Sequence, residues 1–277
     1  MNRPAATSAP ELVLAGGGLW GGRLLQCDRL TSTNQWLLER EADLAHGDVV
    51  WALAQSGGRG RLGRAWFSVP GKSLTCSVLL RGPELLTVGP NVGQAAALAI
   101  RDVLAASRVT ALLKWPNDLI TPRGKIAGIL VESGRAPATL ILGIGLNVNL
   151  TPEDVAAAQI DRAVTSLLME TGAERAVPEV LRDLLLRLAT WLDRLRTEGL
   201  PAVLAAWQPH DALAGHAVSV DTACGVLTGE CLGLDELGRL RIRGADGHED
   251  RLWAGDAERV RRCVADLSQV PEKEWTG

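Results

Sequence analysis

The most reactive-looking stretch of this chain runs Gln55-Ser-Gly-Gly-Arg-Gly-Arg-Leu-Gly-Arg-Ala-Trp-Phe-Ser68. Arg59, Arg61 and Arg64 fall within six residues, and no Asp or Glu occurs between Asp48 and Glu84 to neutralise them. Glycines without side-chain bulk let backbone N–H groups approach an anion closely. Arginine adds permanently charged, bidentate donors suited to carboxylate and phosphate. Such a loop should be mobile when empty and ordered over a bound anion; a solvated basic loop is the plainer alternative. Gly58, Gly60 and Gly63 satisfy G-x-G-x-x-G literally. A dinucleotide fingerprint needs a helix to start at those glycines, and here Ala65-Trp-Phe-Ser-Val-Pro70 and then a strand follow. Gly71-Lys72-Ser73 resembles the end of a P-loop, but the required first glycine is Trp66.

Two further clusters carry chemistry. Lys114-Trp-Pro-Asn-Asp118 leads through Thr121-Pro-Arg-Gly124, which is turn chemistry, into Lys125-Ile-Ala-Gly-Ile-Leu-Val-Glu132. Lys125 opens an apolar strand, so its ammonium can face a cleft while the strand packs; an exposed strand-entry lysine is the alternative. Asn117 and Asp118 either make an Asx turn or offer oxygen ligands to a hard cation such as magnesium. Gly143-Ile-Gly-Leu-Asn147-Val-Asn149 ends a strand with close-approach glycines and two amides; a glycine-kinked core strand also explains it.

The elements that must position these residues alternate. Residues 1–23 are rich in Ala, Pro and Gly and read as a flexible extension. Strands are expected at Leu24–Cys27, Val49–Leu53, Leu74–Leu80, Ala111–Leu113, Lys125–Glu132 and Thr139–Leu150. Thr31-Ser-Thr-Asn34 supplies N-cap residues before Trp36, Leu37 and Leu38. Val92–Ala106 reads as an Ala-rich helix. Leu181, Leu184, Leu185, Leu188, Leu192 and Leu195 recur at helical spacing, and a short helix covers Pro201–Trp207. After residue 211 short strand-like runs take over at Ala217–Val220, Gly225–Leu232, Leu240–Ile242, Arg251–Trp253 and Arg259–Cys263. Asp235 to Gly238 supplies a turn. The expectation is α+β: a catalytic domain over 24–210, then a small antiparallel barrel over 211–277.

The 277 residues are 47% hydrophobic, enough to bury a sizeable core. Tyr is absent, Phe occurs once and Trp nine times, so Leu, Val, Ala and Trp must fill that core. A net charge of −3 gives no global case for a nucleic-acid or membrane-surface partner, and no apolar span reaches the eighteen residues of a transmembrane helix. Cys27, Cys76, Cys224, Cys231 and Cys263 form no C-x-x-C pair; free buried thiols in a cytoplasmic, reducing setting fit better than disulfides or zinc.

In order along residues 28–150, these segments resemble those of the bacterial biotin–protein ligases: Ser32-Thr-Asn34, Gln55 with Gly58-Arg-Gly-Arg61 and Gly63-Arg64-x-Trp66-x-Ser68, Lys114-Trp-Pro-Asn-Asp-Leu119, Gly124-Lys125-x-Ala-Gly-Ile-Leu-Val-Glu132, and Gly143-Ile-Gly-Leu-Asn-Val-Asn149. Trp207, Gly233-Leu-Asp235 and Trp253-Ala-Gly-Asp256 agree more loosely. The resemblance implies a mixed-sheet catalytic domain, of the kind also found in class II aminoacyl-tRNA synthetases, with an SH3-like C-terminal domain. It implies that ATP and biotin, with Mg2+, give biotinyl-5′-adenylate, and that a lysine of the biotin carboxyl carrier domain of acetyl-CoA carboxylase takes the biotinyl group. No enzyme nucleophile is needed, in keeping with the lack of a Ser-His or Cys-His constellation.

Carried over by position, Ser32, Thr33, Asn34, Gln55 and Gly58 serve biotin. Arg59, Gly60 and Arg61 cover its carboxylate and the adenylate phosphate. Arg61, Arg64, Trp66, Asn117 and Asn147 serve ATP, and Asp118 a metal. Lys125 neutralises charge developing between carboxylate and α-phosphate, with Arg59 and Arg61 beside it as catalytic groups. The pattern lacks the DNA-binding domain of repressor-type members, so no operator binding is expected; such ligases often dimerise through the central sheet, which admits a homodimer. Leu62 stands where a polar or basic residue is common. Lipoate–protein ligases share the fold, and the Gly-Arg-Gly-Arg loop argues against that assignment; a non-catalytic biotin or adenylate binder is the other alternative.

Overall fold

The computed structural model describes residues 11–262, except residues 15, 161, 223–224 and 254–256. The first half lays down β1 (Glu11–Leu14), β2 (Leu24–Leu30), α1 (Thr33–Arg40), β3 (Val49–Gln55), β4 (Ser73–Arg81), α2 (Leu85–Val88) and α3 (Val92–Ala106). Four strands follow: β5 (Leu112–Lys114), β6 (Asp118–Thr121), β7 (Gly124–Ser133) and β8 (Thr139–Asn147). Then come α4 (Pro152–Ala157), α5 (Leu167–Thr171), α6 (Val177–Glu198) and α7 (Leu200–Trp207). The chain continues as β9 (Ala217–Thr222), β10 (Gly225–Leu234), β11 (Leu240–Arg243), β12 (Glu249–Leu252) and β13 (Ala257–Arg262).

Strands β1 to β8 form one sheet in the order β1-β2-β3-β4-β8-β7-β6-β5. Among the described strands of this sheet only β2 and β3 pair in parallel, and a parallel pair needs a crossover. Helix α1 makes it, started by Ser32, whose side chain accepts from the Gln35 N–H. The Thr121–Gly124 turn joins β6 to β7 as a hairpin, as the sequence predicts.

The sheet is covered on both faces, which is why its strands read as apolar runs rather than clean alternations. Period-two geometry then sorts the residues. Leu74, Cys76, Val78, Leu142, Ile144 and Leu146 enter the core shared with α3 and α6, while Val50, Ala52, Leu79 and Ile141 enter a second core under α1. All six spaced leucines of α6 are buried, and Trp36, Trp51, Trp115, Trp191 and Trp207 are buried where Phe and Tyr would ordinarily be used. Cys27, Cys76 and Cys231 are free and buried; burial pushes the Cys27 thiol up to about 11 and the Cys76 thiol up to about 12. Cys224 and Cys263 lie outside the described residues.

The stretch expected to be a flexible extension is partly built into the fold. β1 pairs antiparallel with β2, and Leu19 joins the main core. Strand pairing for β1 and core burial for Leu19 are long-range partnerships that local composition does not reveal. Residues 1–10 lie outside the described residues.

The C-terminal strands form an antiparallel sheet in the order β12-β11-β10-β9-β13. Among the described residues its edge strands β12 and β13 do not pair with each other, so the hydrogen bonding is that of an open sheet rather than a closed barrel. The expected turn is present: Asp235 Oδ1 accepts from the Leu237 and Arg239 N–H groups. That turn docks on α3, where Asn91 Nδ2 donates to Leu237 O (3.0 Å) and Gln94 Nε2 to Gly238 O (2.9 Å). None of the helices among the described residues is long and apolar enough to cross a membrane.

Candidate active site

On the α1 side of the sheet, register aligns two rows made mostly of small or polar residues. Thr75, Gly145 and Gly128 lie side by side across β4, β8 and β7; Ser77, Gly143 and Leu130 form the next row. The glycines are depressions with specific occupants. A Cβ on Gly143 would collide with the Asn34 amide, and one on Gly145 with the Trp66 indole. Gly128 is similarly tight, with Trp66 Cζ3 and Lys125 Nζ each 3.0 Å from a notional Cβ. The close-approach reading of Gly143 and Gly145 is therefore correct, and the approaching groups are side chains of this protein.

The start of α1 closes one end of the cavity with neutral polar groups. Gln55 Oε1 accepts from Thr33 N (2.8 Å) and lies 3.3 Å from Thr33 Oγ1. Ser77 Oγ lies 2.7 Å from Thr33 Oγ1 and 2.5 Å from Asn34 Oδ1. Asn34 Nδ2 donates to Leu130 O (3.2 Å) and to Glu132 Oε2 (2.8 Å). The same Glu132 oxygen pairs with Arg59 Nη2 at 3.1 Å. One carboxylate thus ties the glycine-arginine loop to the helix that ends the pocket.

The loop folds back on itself. Arg59 and Ala65 form an antiparallel bridge, Gly60 N donates to Arg64 O (2.7 Å), and Trp66 N to Gly58 O (2.8 Å). A 3-10 turn at Arg61–Gly63 reverses the chain, with Gly63 at φ +72°, the left-handed region that glycine tolerates. Gly58 is a correction to the sequence reading. It does not line the cavity: its Cβ would fall 2.6 Å from Trp66 O, so the loop's own backbone requires the glycine. The Leu62 side chain lies outside what is described. Trp66 crosses the cavity floor, with Lys125 Nζ 5.5 Å from its ring centroid, inside the range of cation–π attraction.

The opposite end is cationic. Arg61, Arg64, Lys114, Lys125 and Arg162 line it, with Asp118 as the lining carboxylate, while Arg59 lines the cavity from its pair with Glu132. Lys125 Nζ sits 2.5 Å from Asp118 Oδ1. Burial pushes the Lys125 pKa down, against which the Asp118 carboxylate works. Burial likewise lowers Lys114 and Arg61. Concentrating like charges in a half-buried cleft is unfavourable unless a polyanion enters.

Two further expectations change. Asp118 was expected as a metal ligand, yet its carboxylate is engaged by Lys125, and no group of three or more His, Cys, Asp or Glu suited to a metal occurs among the described residues. Asn147 was expected at the nucleotide but is buried away from the cavity lining. Its Nδ2 donates to Thr165 O (2.9 Å), clamping residues 163–166 beside β7. Asn117 does line the cavity, while its amide donates to Ile129 O (2.9 Å) and so also pins β7. Ser32, Thr33, Asn34, Gln55, Arg59, Gly60, Arg61, Arg64, Trp66 and Lys125 all converge on the one cavity.

Sequence reading missed Thr75, Ser77 and Arg162 and gave no role to Lys114 or Glu132. Thr75 and Ser77 left a signal: alternate polar positions within the otherwise apolar β4. Arg162 left none, being an isolated arginine in a linker.

The cavity joins a neutral polar end to a cationic end beneath a basic loop, the layout of a site for an uncharged head group attached to an anion. A model of the biotin/lipoate A/B protein ligase family matches residues 24–149. A biotin–[acetyl-CoA-carboxylase] ligase of Paracoccus denitrificans is 32% identical over 229 residues, spanning 80% of this chain and 94% of that protein. The bifunctional ligase/repressor BirA of Escherichia coli is 32% identical over 234 residues, 82% of this chain and 71% of its own. The structure of the biotin protein ligase from Aquifex aeolicus in complex with biotin and ATP superposes with a TM-score of 0.75 at 29% identity, covering 86% of this chain and 98% of that one. The chain belongs to the biotin/lipoate A/B protein ligase family.

Proposed function

We propose that this protein activates biotin with ATP and transfers it to a lysine of the biotin carboxyl carrier domain of acetyl-CoA carboxylase. The observation that carries the proposal is the meeting, in one cavity, of the Thr33–Asn34–Gln55 polar cluster, backed by the buried Ser77 hydroxyl, with the cations around Lys125. The names of the relatives supply the substrates: a biotin–[acetyl-CoA-carboxylase] ligase and a ligase bound to biotin and ATP.

In this reading Ser32, Thr33, Asn34 and Gln55 offer paired donors and acceptors to the biotin ring system, with Ser77 orienting Thr33 and Asn34. The biotin carboxylate points toward Lys125. One carboxylate oxygen attacks the α-phosphorus; the bond from that phosphorus to the bridging oxygen breaks, and pyrophosphate leaves with the electron pair. Lys125, Arg59, Arg61 and Arg64 screen two anions that otherwise repel, and preorganised cations of this kind stabilise developing charge without reorganising. Trp66 holds Lys125 in place from below. The loop shields the mixed anhydride from water. A neutral carrier lysine amine then attacks the acyl carbon, the bond to AMP breaks, and the amine loses a proton.

The cavity's donor set does not fit a dedicated magnesium site, since its carboxylate Asp118 is paired with Lys125. Magnesium, if used, arrives on the phosphates of ATP, and no step above runs through it. The same proposal includes a catalytic domain over 24–210, an SH3-like domain after 211, a cytoplasmic setting and a homodimer through the central sheet.

Pyrophosphate release with ATP and either biotin or lipoate tests the proposal. Release with biotin is expected. Release with lipoate alone would overturn the substrate, and tight biotin binding without release would leave a binding protein instead of a ligase.

A further inference from the structure

Arg162 is the cavity cation that neither motif nor spacing announces, and the backbone that follows it is held in place. Residues 163–165 run parallel to the start of β7: Lys125 N donates to Ala163 O and Thr165 N to Lys125 O, each at 3.0 Å. Gly124 is needed for this approach, because a Cβ there would lie 2.5 Å from Ala163 C. Two hydroxyls, those of Thr121 and Thr165, both donate to Glu170 Oε1 at 2.8 Å and fix the segment from behind. The backbone immediately following Arg162 is therefore anchored to the strand that carries Lys125. Arg162 itself is exposed at the cavity edge.

Charge gives the reason for a cation there. Lys125 is partnered by Asp118 and Arg59 by Glu132, whereas no carboxylate among the described residues pairs with Arg162. Its charge acts against the ammonium groups of both Lys125 and Lys114, so it adds to the cationic character of this end of the cavity. A ligand with more negative charge than the inner cations can screen is attracted to such a group.

Direction identifies the part of the ligand. The polar cluster at α1 holds the head group at the inner end, and Lys125 marks the point where carboxylate meets α-phosphate. Of the two groups attached to the α-phosphate, adenosine is uncharged and the β- and γ-phosphates are anionic, so a guanidinium at the solvent edge of this cation cluster suits the phosphates. We infer that Arg162 binds the β- and γ-phosphates of ATP, the portion that departs as pyrophosphate, and so sets nucleotide rather than biotin affinity. This rests on the adenylation proposed above.

The test compares Arg162→Gln and Arg162→Lys with the wild type in the full chain. Forward adenylation is followed by pyrophosphate release with ATP varied at saturating biotin. The reverse reaction is followed by pyrophosphate-driven breakdown of preformed biotinyl-adenylate. One lost charge-assisted contact should raise the KM for ATP and for pyrophosphate in Arg162→Gln each by about tenfold. Biotin affinity without nucleotide and transfer from preformed adenylate to carrier should stay at wild-type values. The lysine variant should recover part of the loss, since it restores a point charge without the planar fork. Unchanged ATP and pyrophosphate constants, or a defect confined to the KM for carrier, would overturn the inference. A wild type that releases no pyrophosphate from ATP and biotin would instead overturn the adenylation reading.

Discussion

Removing Lys125 should damage adenylation twice, and a second substitution should repair one of the two injuries. Lys125→Ala deletes the cation proposed to meet developing charge, a loss of about 3 kcal/mol or two powers of ten. It also strands Asp118, now 2.5 Å from Nζ with 23% of its side chain exposed, as an unpaired carboxylate facing an incoming triphosphate. At an effective dielectric of about 20 the gross attraction in such a pair is roughly 7 kcal/mol, most of it offset by desolvation. A net coupling of about 1–2 kcal/mol is reasonable for two charges in contact. Asp118→Asn alone should slow adenylation by about tenfold, because Lys125 loses its orienting partner. Lys125→Ala with Asp118→Asn should then be several-fold faster than Lys125→Ala, although it carries one more substitution. Single-turnover formation of biotinyl-adenylate measures all four corners of the cycle. A double variant no faster than Lys125→Ala would refute the counter-ion role of Asp118. An Asp118→Asn enzyme altered only in its magnesium dependence would restore the metal-ligand role.

Burial lowers the Lys125 pKa, and the Asp118 carboxylate opposes that shift. The ammonium is the working form, so the alkaline limb of the adenylation pH profile should lie below the ordinary lysine range and move lower still in Asp118→Asn; a limb that moves upward contradicts this. Gly143→Ala pushes on the Asn34 amide and should weaken biotin binding by about tenfold or more through loss of that hydrogen-bonding group, with titration calorimetry as the readout. Wild-type affinity there would remove Asn34 from the biotin site. Asn147→Ala breaks the clamp on Thr165 and should lower unfolding free energy by about 1–3 kcal/mol, as for a stranded buried acceptor. A raised KM for ATP with unchanged denaturation would return Asn147 to the nucleotide.

Much of the site is legible before any fold is known because its chemistry is concentrated in short segments. Arg59, Arg61 and Arg64 announce an anion site by density of charge among glycines, and Ser32 announces a helix start by residue type. Long elements are legible too: the leucine spacing of α6 and the alanine run of α3 match the helices found. The loose reading of residues 11–23 failed because β1 is held by its partner strand, β2, and not by its own composition.

Partnership is what only the tertiary structure decided. Sequence lists donors and acceptors without distances, so Asp118 read equally well as a metal ligand until its oxygen was found on Lys125. Asn147 likewise read as a ligand until its amide was found on Thr165. Register made Thr75 and Ser77 neighbours of Gly145 and Gly143, seventy and sixty-six residues away; a strand's period fixes which face a residue takes, but not which strand lies beside it. Arg162 entered the site by a backbone ladder to Lys125 that no local pattern encodes. The sequence determined which groups are present and which local elements carry them; long-range strand pairing determined which of them meet.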